Sequence, residues 1–341
     1  MQSRLTQINE GKYPKHHYWA SNELIKSSNF DASFCKNGQY NLPQFFTKAI
    51  NRFLFRGKSD IGTEVDSWIA AKNADFIYSV CGPLSLSRFY RNCQVFPWVF
   101  RTPETGVANL DPYSHANLKK QAGFLCLTPK AEKYFSQFAP SKFIPWCVDT
   151  DLFDGKPSKS QVKKPFFLAT GKTGRDYETL VKAAYTTKAE IRIIGPNDQK
   201  PSEIPRNVMW IDTSINPPDQ AIDYQTLKEW YALCTAVCIP LNGDVDDTCG
   251  YTNMLEAMAM KKPVLMSRSG CLQIDPESRN FGMLIAPQDY HGWSESMNRL
   301  IDDSTFANSF GERAREIVEK EFKIERFNRE VNSFISNCLN A

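Results

Sequence analysis

Short apolar runs alternate with amphipathic stretches along almost the whole of this 341-residue chain. That alternation restricts the fold more than any other feature, because it is the pattern of β-α-β units built around parallel sheets. In the first half it predicts strands over 30–35, 75–80, 95–100, 124–127 and 142–146, with helices over 19–26, 42–55, 63–72, 84–90 and 130–138. The polar stretch Phe153-Asp154-Gly155-Lys156-Pro157-Ser158-Lys159-Ser160 reads as a linker. Beyond it strands are expected over 166–170, 191–194, 208–211, 236–240, 263–266 and 283–285, and helices over 177–184, 224–234, 253–260, 292–302 and 304–321.

A chain this long exceeds what one hydrophobic core usually fills, so two α/β domains are expected. They cover 1–152 and 153–325, and a last helix over 326–341 packs back on the first domain. Ligands of open α/β sheets bind outside the carboxyl ends of the strands, which makes a cleft between two such domains the expected site. A net charge of +3, from 41 basic and 38 acidic residues, is too balanced for nucleic acid as the main partner. No run approaches the roughly 18 apolar residues of a membrane-spanning helix. The polar start Met1-Gln2-Ser3-Arg4 lacks the apolar core of a secretion signal, and a cytoplasmic protein is expected. The ten cysteines then read as reduced thiols, with Cys126, Cys234 and Cys238 acting as small hydrophobes. No second Cys/His pair lies close to Cys234 and Cys238, so no metal is expected.

Two turns carry chemistry. Gly250-Tyr251-Thr252-Asn253-Met254-Leu255-Glu256 joins a strand to a helix. Gly250 permits a tight turn, Thr252 and Asn253 can cap the helix, and the first N–H groups with the helix dipole can cradle a diphosphate. Glu256 could then bond a ribose hydroxyl pair; alternatively Asn253-x-x-Glu256 is a capping box. The second turn, Thr170-Gly171-Lys172-Thr173-Gly174-Arg175, directly follows a strand and lacks P-loop spacing. Lys172 and Arg175 there could neutralise phosphate oxygens, or be solvated cations of an ordinary turn.

Taken together these turns resemble the retaining glycosyltransferases of the GT-B fold, the sucrose-synthase-like family 4 (glycosyl transferases group 1). The resemblance rests on Glu256 to Val264, on Cys147-Val148-Asp149-Thr150-Asp151-Leu152-Phe153, on Arg175 to Leu180 and on Gly282 to Asp289, and covers roughly 147–327. It implies two Rossmann-like, doubly wound domains facing across a cleft, and a UDP- or GDP-sugar as donor. Lys172 and Arg175 would stabilise the departing diphosphate together with Gly171, Gly250, Tyr251, Thr252 and Asn253, and Glu256 would hold the ribose. Retention of the anomeric configuration and no cofactor or metal are also implied. One departure stands out: where the family has a second glutamate, eight positions before Glu256, this chain has Thr248, beside Asp246 and Asp247.

In the first half the resemblance thins. Gly11 is expected after a first short strand, where the family's first domain approaches the donor phosphates. The family often has a histidine after a central strand where this chain has Arg101-Thr102-Pro103-Glu104; His16, His17 and His115 are candidates. Over 42–55, Leu42, Phe45, Phe46, Ala49, Ile50, Phe53 and Leu54 recur at helical spacing, with Lys48, Arg52 and Arg56 nearer the other side. Such a helix packs on its sheet, or lies on an anionic membrane and gives peripheral contact through 42–56. The expected activity is transfer of a hexose-type group to an unidentified lipid, glycan or small-molecule acceptor. The alternatives are an epimerase or hydrolase of the same fold, and a non-catalytic nucleotide-sugar-binding protein. A dehydrogenase is disfavoured, because no Gly-x-Gly-x-x-Gly follows a strand.

Overall fold

A computed structural model of the chain describes residues 2–35, 38, 43–55, 57–80, 82–103, 111–156, 164–214, 221–243, 248–268 and 274–340. Leu42, Arg56, Glu104, the second half of the expected linker, and the three aspartates Asp244, Asp246 and Asp247 lie outside the described residues. Two compact units result: Tyr18–Pro145 with Phe327–Ala341, and Met1–His17 with Trp146–Arg326.

The chain opens with helix α1 (Gln2–Asn9), where a strand was expected. Gly11 therefore follows a helix, and its φ of +66° serves the turn that ends it. Then come α2 (Ser21–Lys26), α3 (Gln44–Phe53), α4 (Ile61–Ala70), β1 (Phe76–Ser79), β2 (Gln94–Val99), α5 (His115–Leu118), β3 (Phe124–Cys126), α6 (Pro129–Phe135) and β4 (Ser141–Phe143). The four strands form a parallel sheet in the order β1-β2-β3-β4. Its centre, β2, is buried from Val95 to Val99, as a strand covered on both faces must be. Val99, Leu118, Phe124, Cys126, Ala131 and Phe135 close a core on one side. The last helix, α12 (Ile324–Leu339), stacks Phe327 on Trp98 at 5.3 Å between ring centres. Gly123 has no room for a side chain, because a Cβ there would stand 2.9 Å from the Phe334 ring.

Three expectations fail in this unit. Residues 30–35 alternate half-buried and exposed as a strand would, and Phe30 packs on Phe76 at 5.2 Å, but the segment joins no ladder. The helix expected over 84–90 is the 3-10 turn Ser85–Phe89. Its first amides are taken by Glu64 of α4, which accepts from Ser85 and Leu86 at 2.8 and 2.9 Å, and Ser87 bonds back to the Leu84 carbonyl. Finally, α3 buries none of its ten residues, so it is no helix packed on its sheet.

The second unit carries β5 (Phe166–Thr170), α7 (Tyr177–Ala183), β6 (Glu190–Gly195), β7 (Val208–Asp212), α8 (Tyr224–Leu233), β8 (Ala236–Ile239), α9 (Tyr251–Ala259), β9 (Val264–Ser267), β10 (Gly282–Ile285), α10 (Tyr290–Asp302) and α11 (Ser304–Glu321). Its six strands are parallel in the order β10-β9-β8-β5-β6-β7. Counted from β5 this is the doubly wound Rossmann order 3-2-1-4-5-6, whose direction reverses between β5 and β8. Ligands of such sheets sit at the carboxyl ends of the strands flanking that reversal.

The unit boundaries depart from 1–152 and 153–325. Leu152 and Phe153, expected at the linker, are buried in the second unit. Val148 donates its N–H to the Phe322 carbonyl at 2.9 Å, which fastens 146–153 to the end of α11. The first residues join the same unit through Asp149, a carboxylate only 2% exposed. It accepts the Lys15 N–H at 2.9 Å, and those of Asp151 and Leu152 at 3.2 and 3.3 Å. Among the described residues no helix is long and apolar enough to cross a membrane.

Candidate functional site

At the reversal point the turns after β5 and β8 are knitted together. Asp176 donates its N–H to the Pro240 carbonyl and Asn242 donates to Gly174, at 3.1 and 3.0 Å. Between them lies Arg175, 6% exposed, on a turn that the sequence alone gave no reason to bury. Its Nε donates to the Thr170 carbonyl at 3.2 Å and its Nη1 to Thr173 at 2.9 Å. Its Nη2 donates to Asn253 Oδ1 at 2.7 Å. All three acceptors are neutral, and none of the ion pairs among the described residues includes Arg175. Burial accordingly lowers its pKa from the ordinary arginine value. A guanidinium held in the protein without a counter-charge can accept an anion.

Gly171 makes this possible: at φ +132° it lies against the guanidinium, and a Cβ there would collide with it. Lys172, by contrast, is exposed on the same turn, and its carbonyl accepts from Gln199 Nε2 at 2.5 Å.

The partner of Arg175 sits in the first turn of α9. Gly250, at φ +87°, is the residue that starts this helix, and a Cβ there would stand 2.6 Å from Ile239. Thr252 and Asn253 are therefore inside the helix and do not cap it. Their N–H groups belong to the first turn, which lacks intrahelical acceptors and carries the positive end of the helix dipole. The Asn253 side chain, instead of capping, accepts from Arg175 and donates to Thr170 Oγ1. Tyr251 is buried, with its N–H on the Thr248 carbonyl at 3.1 Å.

Glu256, one turn on, is no capping-box residue either. Tyr231 of α8 donates its hydroxyl to Glu256 Oε2 at 2.8 Å, and the residue is 2% exposed. Burial pushes its carboxyl up to about 7, against the pull of His17 and of the Tyr231 hydrogen bond. The other oxygen, Oε1, stands 3.5 Å from Nε2 of His16, which is wholly buried. Burial lowers the His16 pKa to about 4, against the pull of Asp149. Tyr231, Thr170, His16 and Asp149 complete a polar chain that begins at Arg175. Nothing in the sequence tied His16 to Glu256.

One nitrogen, one nitrogen and one carboxylate oxygen of His16, His17 and Glu256 all lie within 4.8 Å of one another. Such a set can hold a metal, but the hydrogen bonding of this one opposes it. The Asp149 N–H donates to His16 Nδ1 at 3.1 Å, so the neutral ring carries its proton on Nε2, the nitrogen a metal would need. His17 Nε2 is shared with the Tyr224 hydroxyl at 2.9 Å.

The other candidates separate from this group. Gly11 is exposed, and its carbonyl accepts from Gln225 Nε2 at 2.9 Å. His115 is exposed, on α5 of the other unit. The cysteines of the described residues are free; Cys126, Cys234 and Cys238 are buried, and burial pushes the Cys234 thiol up to about 11.

The buried cation and the helix start lie at the reversal point of a doubly wound sheet, where open α/β sheets place their ligands. Residues 174–303, within the second unit, match the family of glycosyl transferases group 1. No curated protein sequence matches the chain. Sucrose-phosphate synthase of Thermosynechococcus elongatus is similar in structure, with a TM-score of 0.61 at 18% identity, over 89% of this chain and 82% of that one. A glycosyltransferase of Rickettsia africae gives 0.62 at 13% identity, over 93% and 87%. HepE of Anabaena, in complex with UDP, gives 0.59 at 15% identity, over 81% and 84%. The fold is GT-B.

Proposed function

We propose that the chain transfers a sugar from a nucleoside diphosphate sugar, with UDP or GDP as the nucleotide, to an acceptor hydroxyl with retention at the anomeric carbon. The observation that carries this reading is Arg175: a buried guanidinium, free of ion pairs among the described residues, hydrogen-bonded to the first turn of α9. In the transfer the bond from the sugar C1 to the β-phosphate oxygen breaks, and its electron pair stays on the diphosphate. C1 bonds to the acceptor oxygen, whose proton is released. Charge therefore grows on the diphosphate as the barrier is crossed. Arg175, Lys172 and the Thr252 and Asn253 N–H groups meet it, as preorganised donors do in other transferases. These groups supply the positive field without a metal ion.

Glu256 takes the pentose hydroxyls in this reading. Its Oε2 is held by Tyr231, and Oε1, set 3.5 Å from His16, is the oxygen left for a hydroxyl. Because the residue is sealed from solvent and His16 stands against Oε1, engaging a pentose requires His16 to give way. The UDP complexes of HepE favour uridine as the base.

A thermal-shift series with UDP, GDP, their sugars and the corresponding monophosphates tests the reading, since a ligand of the folded form raises the melting temperature with concentration. A diphosphate should stabilise well above the monophosphate; equal shifts would remove the diphosphate site. Donor turnover without acceptor at the full rate would favour a hydrolase or epimerase instead.

A further inference from the structure

Helix α3 was left over by the donor site, and its surface is unlike that of a domain helix. Phe45, Phe46 and Phe53 are 77%, 56% and 77% exposed. Their positions, with Ala49, fall on one face of the helix, and Lys48 and Arg52, both exposed, border it. The opposite side makes the attachment: Asn51 Nδ2 donates to Asp60 at 2.7 Å and Asn51 Oδ1 accepts the Ile61 N–H at 2.8 Å. Three phenylalanines left largely in water on one helix face forgo the burial that apolar surface ordinarily gains.

We propose that α3 docks this protein on an anionic lipid bilayer, with the phenylalanines inserted at the headgroup boundary and Lys48 and Arg52 on the lipid phosphates. Charge complementarity selects this occupant. Residues 43–55 contain Lys48 and Arg52 and no carboxylate, so the face offers nothing to the cations of a protein partner and suits an anionic headgroup layer. A second observation points the same way. The other exposed aromatics of this unit, Trp68 and Phe89, each lie beside a cation, Lys72 at 4.8 Å and Arg88 at 5.1 Å from the ring centre, as Arg52 lies beside Phe53 at 5.9 Å. Aromatic rings paired with long cations are what a membrane interface favours. Lipid binding is measured without nucleotide, so it stands apart from the donor site.

Co-sedimentation of the full chain with phosphatidylcholine vesicles, with and without about one third phosphatidylglycerol, tests it. The protein should pellet with the anionic vesicles only, and added salt should release it. K48Q/R52Q should weaken that binding about 30-fold, from about 1 kcal/mol per cation. F45S/F53S should abolish it while the melting temperature stays within a degree or two, since both side chains are exposed. Failure of the folded protein to bind anionic vesicles, equal binding to both vesicles, or undiminished binding by F45S/F53S would overturn the proposal. So would a concentration-dependent dimer in solution that F45S/F53S dissolves, which would make a second copy the occupant.

Discussion

His16 Nε2 stands 3.5 Å from Glu256 Oε1 inside the protein, and burial drives the two groups in opposite directions. The imidazole titrates near 4 and the carboxyl near 7. Between those values a neutral ring faces a neutral acid, whereas in the unfolded chain both carry charge from about pH 4.5 to 6.5. One proton is bound by the pair in either state. The pair therefore places no pH dependence on stability across that interval, although each member alone would.

Breaking the pair exposes the two halves. In His16→Gln the raised Glu256 remains, the folded state binds the extra proton, and stability falls as pH rises from 4.5 to 7. In Glu256→Gln the depressed His16 remains, the unfolded state binds the extra proton, and stability falls as pH drops from 6.5 to 4. Each slope reaches at most about 1.4 kcal/mol per pH unit. Urea titrations of wild type and both variants at pH 5, 6 and 7 measure this; parallel curves for all three would refute the coupling.

Lys172 separates chemistry from folding. Its side chain is exposed, so Lys172→Ala should leave the melting temperature unchanged while lowering kcat by roughly 100-fold, the cost of one lost donor to developing charge. Steady-state kinetics with the identified donor decide it. Unchanged kcat would assign this cation to solvent.

Gly171 guards the Arg175 position. Gly171→Ala places a methyl where the guanidinium lies and strains a backbone at φ +132°, so the arginine must swing away. Nucleoside diphosphate affinity, read by calorimetry, should fall about tenfold or more while affinity for the free nucleoside changes little. Equal loss for both ligands would point to a collapsed turn.

Asp149 anchors the first residues of the chain to the second unit. Asp149→Ala removes the acceptor of the Lys15, Asp151 and Leu152 amides and should cost about 2 to 4 kcal/mol in denaturant unfolding. It should also speed proteolysis before residue 18. A variant as protease-resistant as wild type would contradict the anchoring.

Local pattern carried the second unit well. Its strands are short and apolar and its helices have clear stripes, so β5, β8 and α11 were legible almost to the residue, and the turns bearing Gly171 and Gly250 fell where expected. Long-range relations were not legible. That residues 1–17 join the second unit depends on Asp149 meeting Lys15, 134 residues apart, and His16 meets Glu256 from still farther. Periodicity reports which face of an element is apolar and not what covers it, which is why α3 stayed open between a packed and a surface helix and the segment 30–35 read as a strand. Burial of Arg175 escaped for a related reason: a cation on a Gly-rich turn resembles any solvated one until the neutral acceptors of Thr170, Thr173 and Asn253 close around it.

The donor site stands or falls on where a diphosphate binds. A crystal structure of the protein soaked with UDP or GDP should place the β-phosphate within hydrogen-bond reach of Arg175 and of the Thr252 and Asn253 N–H groups, with the pentose toward Glu256. Nucleotide bound elsewhere, with Arg175 still held only by its three neutral acceptors, would contradict it.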